Sequence, residues 1–217
     1  FVYNLGDGHD TVYEFESSPS ILGLLRFGTG ITADNITLYR DGSHLVLALN
    51  ANDSITINGW YSSISYRISE IQFGTNTPLN ATTWVNGLPV RIRAPGVLAG
   101  TSEPDMLLGT TGNDVIYGDS GADVIEGGKG NDQLSGNQLN VATDGTVSRA
   151  HSSDSVKDTF VYNLGDGHDI IYEFESSPSV MALLRFGMGL PADSITLHRV
   201  GNDLVLALNT NDSISIN

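Results

Sequence analysis

Aspartate recurs every nine residues along one stretch of this 217-residue chain, at Asp105, Asp114, Asp123 and Asp132. Glycine keeps the same step at Gly100, Gly109, Gly118, Gly127 and Gly136, and an apolar residue stands two after each aspartate: Leu107, Ile116, Ile125 and Leu134. Aspartate supplies a hard anionic oxygen, while glycine permits a tight turn that exposes backbone carbonyls. Oxygen donors of this kind suit a hard cation, and calcium, which takes about six to eight of them, better than magnesium. The chain has no cysteine, which removes disulfides, thiol catalysis and cysteine-type zinc sites. It has neither HExxH nor GxSxG, so the zinc-protease and lipase motifs are absent. The GDSG at 118–121 falls in phase with GTTG and GGKG, which makes Ser120 a variable turn position and not a nucleophile.

Six turn-forming residues followed by three with one apolar side chain cannot make a helix, but they can make a turn and a very short strand. Two such units form one coil of a parallel solenoid, so turns on the same side lie two repeats apart. Asp105 then pairs with Asp123, and Asp114 with Asp132. Stacked coils place these carboxylates in like-charged columns, untenable without cations between them. LGDGHDII at 164–171 fits the same template with Asp169 and Ile171, as does LGDGHDTV at 5–12 with Asp10 and Val12. KDTF at 157–160 ends another repeat, with Asp158 two before Phe160. If Gly136 opens that repeat, 17 extra residues stand within 137–157, a polar loop bulging from the roll. Asp123 is then expected to pair with Asp158, and Asp132 with Asp169.

The nonapeptides resemble the repeats-in-toxin (RTX) family, whose pattern reads G-G-x-G-x-D-x-U-x. The resemblance implies a parallel β-roll with Ca2+ between turns two repeats apart. The ions would be held by the aspartate side chains and by carbonyls of the turn glycines, here Gly109, Gly112, Gly118, Gly121, Gly127 and Gly130. Glu103 and Pro104 break the pattern in the first repeat and weaken its site. By extension Asp158, Asp169 and Asp10 join the candidate ligands. A second, longer repeat is also present: residues 1–58 align with 160–217, and 43 of the 58 positions are identical. The chain starts at Phe1 without Met or a signal peptide, and reads as a fragment holding about one and a third copies of a 159-residue unit.

Residues 17–97 lack nonapeptides and read as strands. HLVLALN alternates with Leu45, Leu47 and Leu49 on one face, SITIN with Ile55 and Ile57, and NITLYR with Ile36 and Leu38; YRISEIQF at 66–73 adds another. No convincing amphipathic helix is visible, and Trp60, Tyr61 and Trp84 fit core packing better than a ligand platform. The run from LLRFGTG through NGWY to YRISEIQF resembles the haemolysin-type calcium-binding related domain, which implies a β-rich companion to the roll. The expected class is all-β, a calcium-binding β-solenoid flanked by β-rich modules. The end of a roll occupies 1–16, a β-rich module 17–97, the roll 98–175, and a truncated second module 176–217.

With 10 basic against 25 acidic side chains the net charge is −15, which argues against nucleic acid and anionic membranes and favours cations. No run approaches the length of a spanning helix, so membrane insertion is not expected. His9 and His168 sit at a variable turn position and read as solvated. Glu14, Glu16, Glu173 and Glu175 either close a calcium site or face water. The lack of catalytic motifs points away from an enzyme. The expected function is a calcium-dependent structural repeat of a secreted bacterial surface protein, an extender of an adhesin or extracellular fibre. Its partners would be calcium, neighbouring repeats and, in a fibre, other copies. The alternative is the folding and secretion region of a type I-secreted toxin or hydrolase whose active domain lies elsewhere.

Overall fold

A computed structural model describes residues 1–15, 23–92, 96–150, 154–174 and 180–217. The chain divides into two compact units, Phe1–Arg93 and Ala94–Asn217. The described residues of both are almost entirely strand and turn, the all-β composition expected.

In the second unit each nonapeptide contributes one short strand, and alternate strands stack into two parallel sheets. One contains Val97–Ala99, Val115–Asp119, Gln133–Asn137, His168–Ile171 and Ser213–Ile216; the other contains Met106–Leu108, Val124–Glu126, Thr159–Tyr162 and Leu183–Phe186. The register places Leu98, Ile116, Leu134 and Ile171 in one line and Leu107, Ile125, Phe160 and Leu184 in another. Of these, all but Leu184 are buried, so the residue two after each aspartate does build the interior. This is a β-roll. The stack runs past 175: Leu183–Phe186 pairs in parallel with Thr159–Tyr162, and Ser213–Ile216 with His168–Ile171. The antiparallel strands Thr196–Val200 and Asp203–Ala207 then extend the second of these pairs. The sequence division at 175/176 thus falls inside one continuous stack, because those strands carry the same inward apolar rungs.

The segment expected to be a plain loop at 137–157 contains a β-hairpin, Leu139–Val141 against Val147–Arg149. Its turn is closed by Ala142 N–H donating to Thr146 O at 2.9 Å, with Gly145 at φ +85°. Asp144-Gly145 between short apolar-containing runs is a hairpin signal that three-residue strands made easy to overlook.

In the first unit, Val2–Tyr3, Leu24–Phe27 and Glu70–Phe73 pair in parallel, with Leu79–Asn80 antiparallel at the edge. His9–Val12 pairs in parallel with Ser54–Ile57, which continues antiparallel through His44–Ala48 to Thr37–Asp41, itself parallel to Pro89–Ile92. The expected one-faced alternation in HLVLA gives way to burial of Leu45, Val46 and Leu47 together, because both faces of that strand are covered. Phe27 stacks on Phe73 at 5.3 Å and Trp60 is fully buried, so these three are core, and the half-buried Trp84 packs on Phe73 at 5.5 Å. A helix the sequence does not announce spans Ala81–Asn86. It is too short to show a period, yet the Asn80 side chain caps it by accepting from Thr83 N–H at 2.9 Å, and Ala81 and Val85 face inward four residues apart.

Truncating a central rung should therefore cost far more than truncating a solvent-facing isoleucine. Ile125→Ala is expected to destabilise the folded chain by about 2–5 kcal/mol and Ile64→Ala by less than ~0.5 kcal/mol. Urea unfolding in saturating calcium checks both; equal effects would mean the Ile125 line is not packed.

Candidate metal centre

The repeat aspartates form two hydrogen-bonded ladders, one along each side of the roll. On one side Asp105 N–H donates to Asp123 Oδ1 at 2.8 Å, and Asp123 N–H to Asp158 Oδ1 at 2.9 Å. On the other, Gly96 N–H donates to Asp114 Oδ1 at 2.9 Å, Asp114 N–H to Asp132 Oδ1 at 2.8 Å, and Asp132 N–H to Asp169 Oδ1 at 2.9 Å. All four pairs expected from the spacing are adjacent, including the two that bridge the insertion. Each of the six aspartates is at most 5% exposed. Asp10 stands apart: it lies in the first unit, is exposed, and pairs along its strand with Ile55 and not with another aspartate.

Five of the six candidate turn glycines, Gly109, Gly118, Gly121, Gly127 and Gly130, stand where nothing larger fits. A Cβ on Gly130, at φ +133°, would lie 2.5 Å from the Gly112 carbonyl oxygen, and one on Gly118 would meet the Asp123 carboxylate and the Gly136 carbonyl. Gly109 and Gly127 similarly crowd the Asp114 and Asp132 side chains, and Gly121, at φ +115°, approaches the Glu103 carbonyl. Close backbone approach between stacked turns sets carbonyl oxygens of one turn, such as those of Gly112 and Gly127, directly over the glycines of its neighbour.

Within the ladders the second carboxylate oxygen decides what each rung can do. Asp105 Oδ2 accepts from Thr101 N–H at 2.6 Å and Thr101 Oγ1 at 2.9 Å, and Asp114 Oδ2 accepts from Thr110 in the same way. The residue after the first glycine is Asp119 or Gly128 in the next two repeats, neither of which offers a hydroxyl. There Asp123 Oδ2 and Asp132 Oδ2 are buried and accept no hydrogen bond. A buried anionic oxygen without a donor is costly. Burial pushes the Asp123 carboxyl up to about 8, with the Asp105 N–H opposing and the Asp158 and Asp105 carboxylates reinforcing the rise. Burial likewise raises Asp132 to about 7 and Asp169 to about 8. A bound cation would relieve this. The donors are all hard oxygens, and among the described residues no three His, Cys, Asp or Glu side chains converge. An ion here would therefore draw on turn carbonyls as well as aspartates, a shell that fits calcium.

Several functional-looking groups were not legible as such. Asp154, from the insertion, accepts Gly121 N–H at 2.6 Å and Val156 N–H at 3.0 Å, and burial together with Asp154 raises the nearby Asp119 carboxyl. Asp212 accepts from Gly165 and Gly167 N–H at 2.8 and 3.2 Å, and Asp53 accepts identically from Gly6 and Gly8 at 2.9 and 3.2 Å. Each pins a GDG turn. Their signal is the shared NDSI, in which an isoleucine again follows two after aspartate. His9 and His168 place Nδ1 at 2.8 and 2.9 Å from the Ser54 and Ser213 hydroxyls on the neighbouring strand. Glu173 and Glu14 follow the turns, while Glu16 and Glu175 lie outside the described residues. Ser120 donates its backbone N–H to Thr101 O at 3.2 Å, as a turn residue would.

Residues 100–134 match the model of the RTX calcium-binding nonapeptide repeat (4 copies), and residues 44–83 that of the haemolysin-type calcium binding protein related domain. The iron-regulated protein FrpA of Neisseria meningitidis serogroup C is 34% identical over 87 residues, covering 38% of this chain and 8% of that protein. The chain thus spans under a tenth of that relative. A crystal structure of the extracellular lipase LipA from Serratia marcescens aligns with 96% of this chain and 32% of its own, at 16% identity and a TM-score of 0.27. So loose a superposition carries no functional weight. What the two matched segments settle is that the chain carries RTX calcium-binding nonapeptide repeats beside a haemolysin-type calcium binding protein related domain, a repeat region of the kind found in secreted proteins.

Proposed function

We propose that this chain is a calcium-dependent structural repeat, an extender of a bacterial surface adhesin or extracellular fibre that folds and stiffens on binding Ca2+ outside the cell. The observation that carries the reading is the pair of buried, unpartnered oxygens, Asp123 Oδ2 and Asp132 Oδ2, inside ladders of like charge. The 43-in-58 internal duplication supports an array in preference to a single auxiliary segment. In this reading the region catalyses nothing, and its carboxylates serve the ladders.

The residues that would hold the ions are Asp105, Asp114, Asp123, Asp132, Asp158 and Asp169, together with carbonyls of the turn glycines. Calcium would supply positive charge between the columns; the chain's own part is to hold one oxygen of Asp123 and of Asp132 on a backbone N–H and leave the other for the ion. Extracellular sites of this type bind at about 0.1–1 mM, far above intracellular calcium, so the chain would stay unfolded until exported. Among the described residues no helix is long and apolar enough to cross a membrane.

Circular dichroism with light scattering, titrated with calcium up to about 10 mM against a magnesium control, tests this. A calcium-specific rise in β-structure is expected, and rising scatter would mark fibre assembly; full β-structure in EDTA would sink the reading. Asp132→Asn should raise the calcium midpoint at least about tenfold, while Asp144→Asn, in the hairpin turn, should leave it in place.

The pH dependence has opposite signs with and without metal. Asp123, Asp132 and Asp169 have folded-state values raised above the unfolded one, so without calcium their contribution is complete below about pH 4 and is lost as pH rises through 7–8. Calcium needs the ionised form, so its affinity should fall as pH drops from 8 to 6, with protons released on binding. Calorimetry in buffers of differing ionisation enthalpy measures that release; a pH-independent midpoint with no proton release would contradict it.

A further inference from the structure

The decapeptide FVYNLGDGHD occurs at 1–10 and again at 160–169, so the chain carries its own control for what that sequence binds. On one side the two copies behave alike. Val2–Tyr3 pairs with Arg26–Phe27 as Val161–Tyr162 pairs with Arg185–Phe186, and His9–Val12 pairs with Ser54–Ile57 as His168–Ile171 pairs with Ser213–Ile216. Both GDG turns are pinned by an equivalent aspartate, Asp53 or Asp212.

On the other side they differ. In the second copy nonapeptide strands lie alongside: Val124–Glu126 pairs with Thr159–Val161, and Gln133–Leu134 with Ile170–Ile171. Ile170 and Tyr172 N–H donate to Asp132 O and Leu134 O, each at 2.8 Å. His168 N–H donates to Asn131 Oδ1 at 3.0 Å, Asn163 Nδ2 to Glu126 Oε1 at 2.9 Å, and the Tyr172 hydroxyl to Gln133 Oε1 at 3.0 Å. In the first copy Val2–Tyr3 and His9–Val12 are the terminal strands of their sheets, and none of these bonds has a counterpart among the described residues. Phe1 is 54% exposed where Phe160 is 2%, Tyr13 is 75% exposed where Tyr172 is half-buried, and Asp10 is exposed where Asp169 is buried.

We infer that residues 1–13 form a docking face for a calcium-loaded nonapeptide roll, so that each 159-residue unit stacks on the roll of another unit. Two open strand edges flanked by exposed Phe1, Val2 and Tyr13 are a template for further strands. The occupant is specified by the second copy. It brings a repeat aspartate whose N–H reaches Asp10 Oδ1, an asparagine for His9 N–H, a glutamate for Asn4 and a glutamine for Tyr13. The roll of a second folded molecule cannot serve, because its own 159–171 already covers that edge. The partner is a further copy of the 98–158 roll whose edge is not covered by a 159–171 segment of its own. Asp10, isolated within its own unit, then becomes a rung like Asp169.

This rests on the calcium-loaded roll proposed above, and the experiment separates the two. Residues 98–159 of the chain's own sequence are fused ahead of Phe1 of the full chain, and amide hydrogen exchange is followed in saturating calcium. Amides of His9–Tyr13 are expected to slow about a hundredfold relative to the unextended chain, approaching those of His168–Tyr172, and Asp10→Lys in the extended chain should undo that slowing. An added segment that stays unfolded, or one that folds while 9–13 exchange as before, overturns the inference. Loss of calcium-dependent protection at 168–172 in the same sample would instead overturn the calcium reading itself.

Discussion

Everything in the second unit depends on one awkward arrangement, a file of carboxylates buried on top of one another. Four of the six, Asp123, Asp132, Asp158 and Asp169, resolve half of their difficulty within the chain, since one oxygen takes the N–H of the aspartate in the turn before it, while Asp114 takes the N–H of Gly96. That bond fixes the stacking register and the side-chain direction together. The remaining oxygen cannot be satisfied the same way, because each turn has only one aspartate N–H to give. Where the threonine four residues earlier is missing, at Asp123 and Asp132, the second oxygen is buried without a donor, and a cation would satisfy it. One site at a hundred times its dissociation constant adds about 2.7 kcal/mol, a large share of the ~5–15 kcal/mol by which domains are usually stable. In the proposed reading the fold is then a property of chain and ion jointly.

The transition out of the roll follows from the same constraint. Asp212 is buried, and burial alone would raise its carboxyl, yet Asn209, Gly165, Gly167 and Tyr162 outweigh that and hold it below the usual range. Asp53 is held down in the same way by Asn50, Gly8, Gly6 and Tyr3. Charge that the nonapeptide ladders leave for a cation is here compensated by donors of the chain itself. The last rung can therefore end a metal-binding stack without needing metal.

The roll also tolerates interruption at little cost to its register. Successive partners stand 18 residues apart from Ile116 to Leu134, then 37 from Leu134 to Ile171 and 45 from Ile171 to Ile216. Closing a longer loop costs only slowly more entropy, and the Leu139–Arg149 hairpin spends its extra residues on its own hydrogen bonds. Asp154 then re-enters the turn through Gly121 N–H, so the chain resumes the ladder at Asp158 where it left it.

The nine-residue step of glycine, aspartate and an apolar residue by itself determined the roll and the pairing of Asp105 with Asp123 and Asp114 with Asp132, and the matching KDTF and LGDGHDII segments carried the pairing on to Asp158 and Asp169, because a short period leaves a turn and a strand no other way to bury one apolar side chain per repeat. Only the tertiary structure decided that the second oxygens of Asp123 and Asp132 are buried without a donor while those of Asp105 and Asp114 are not, since that turns on which backbone and hydroxyl donors the turn brings to them. Only the tertiary structure separated Asp10 from Asp169, although the ten residues ending in each are identical, because burial comes from the strands alongside and not from the decapeptide. The hairpin, the Ala81–Asn86 helix and the stacking of Leu183–Phe186 on the roll were likewise tertiary decisions. Their local patterns are two to six residues long, too short to state a period, and they form because a packed surface or an open strand edge is already there to receive them.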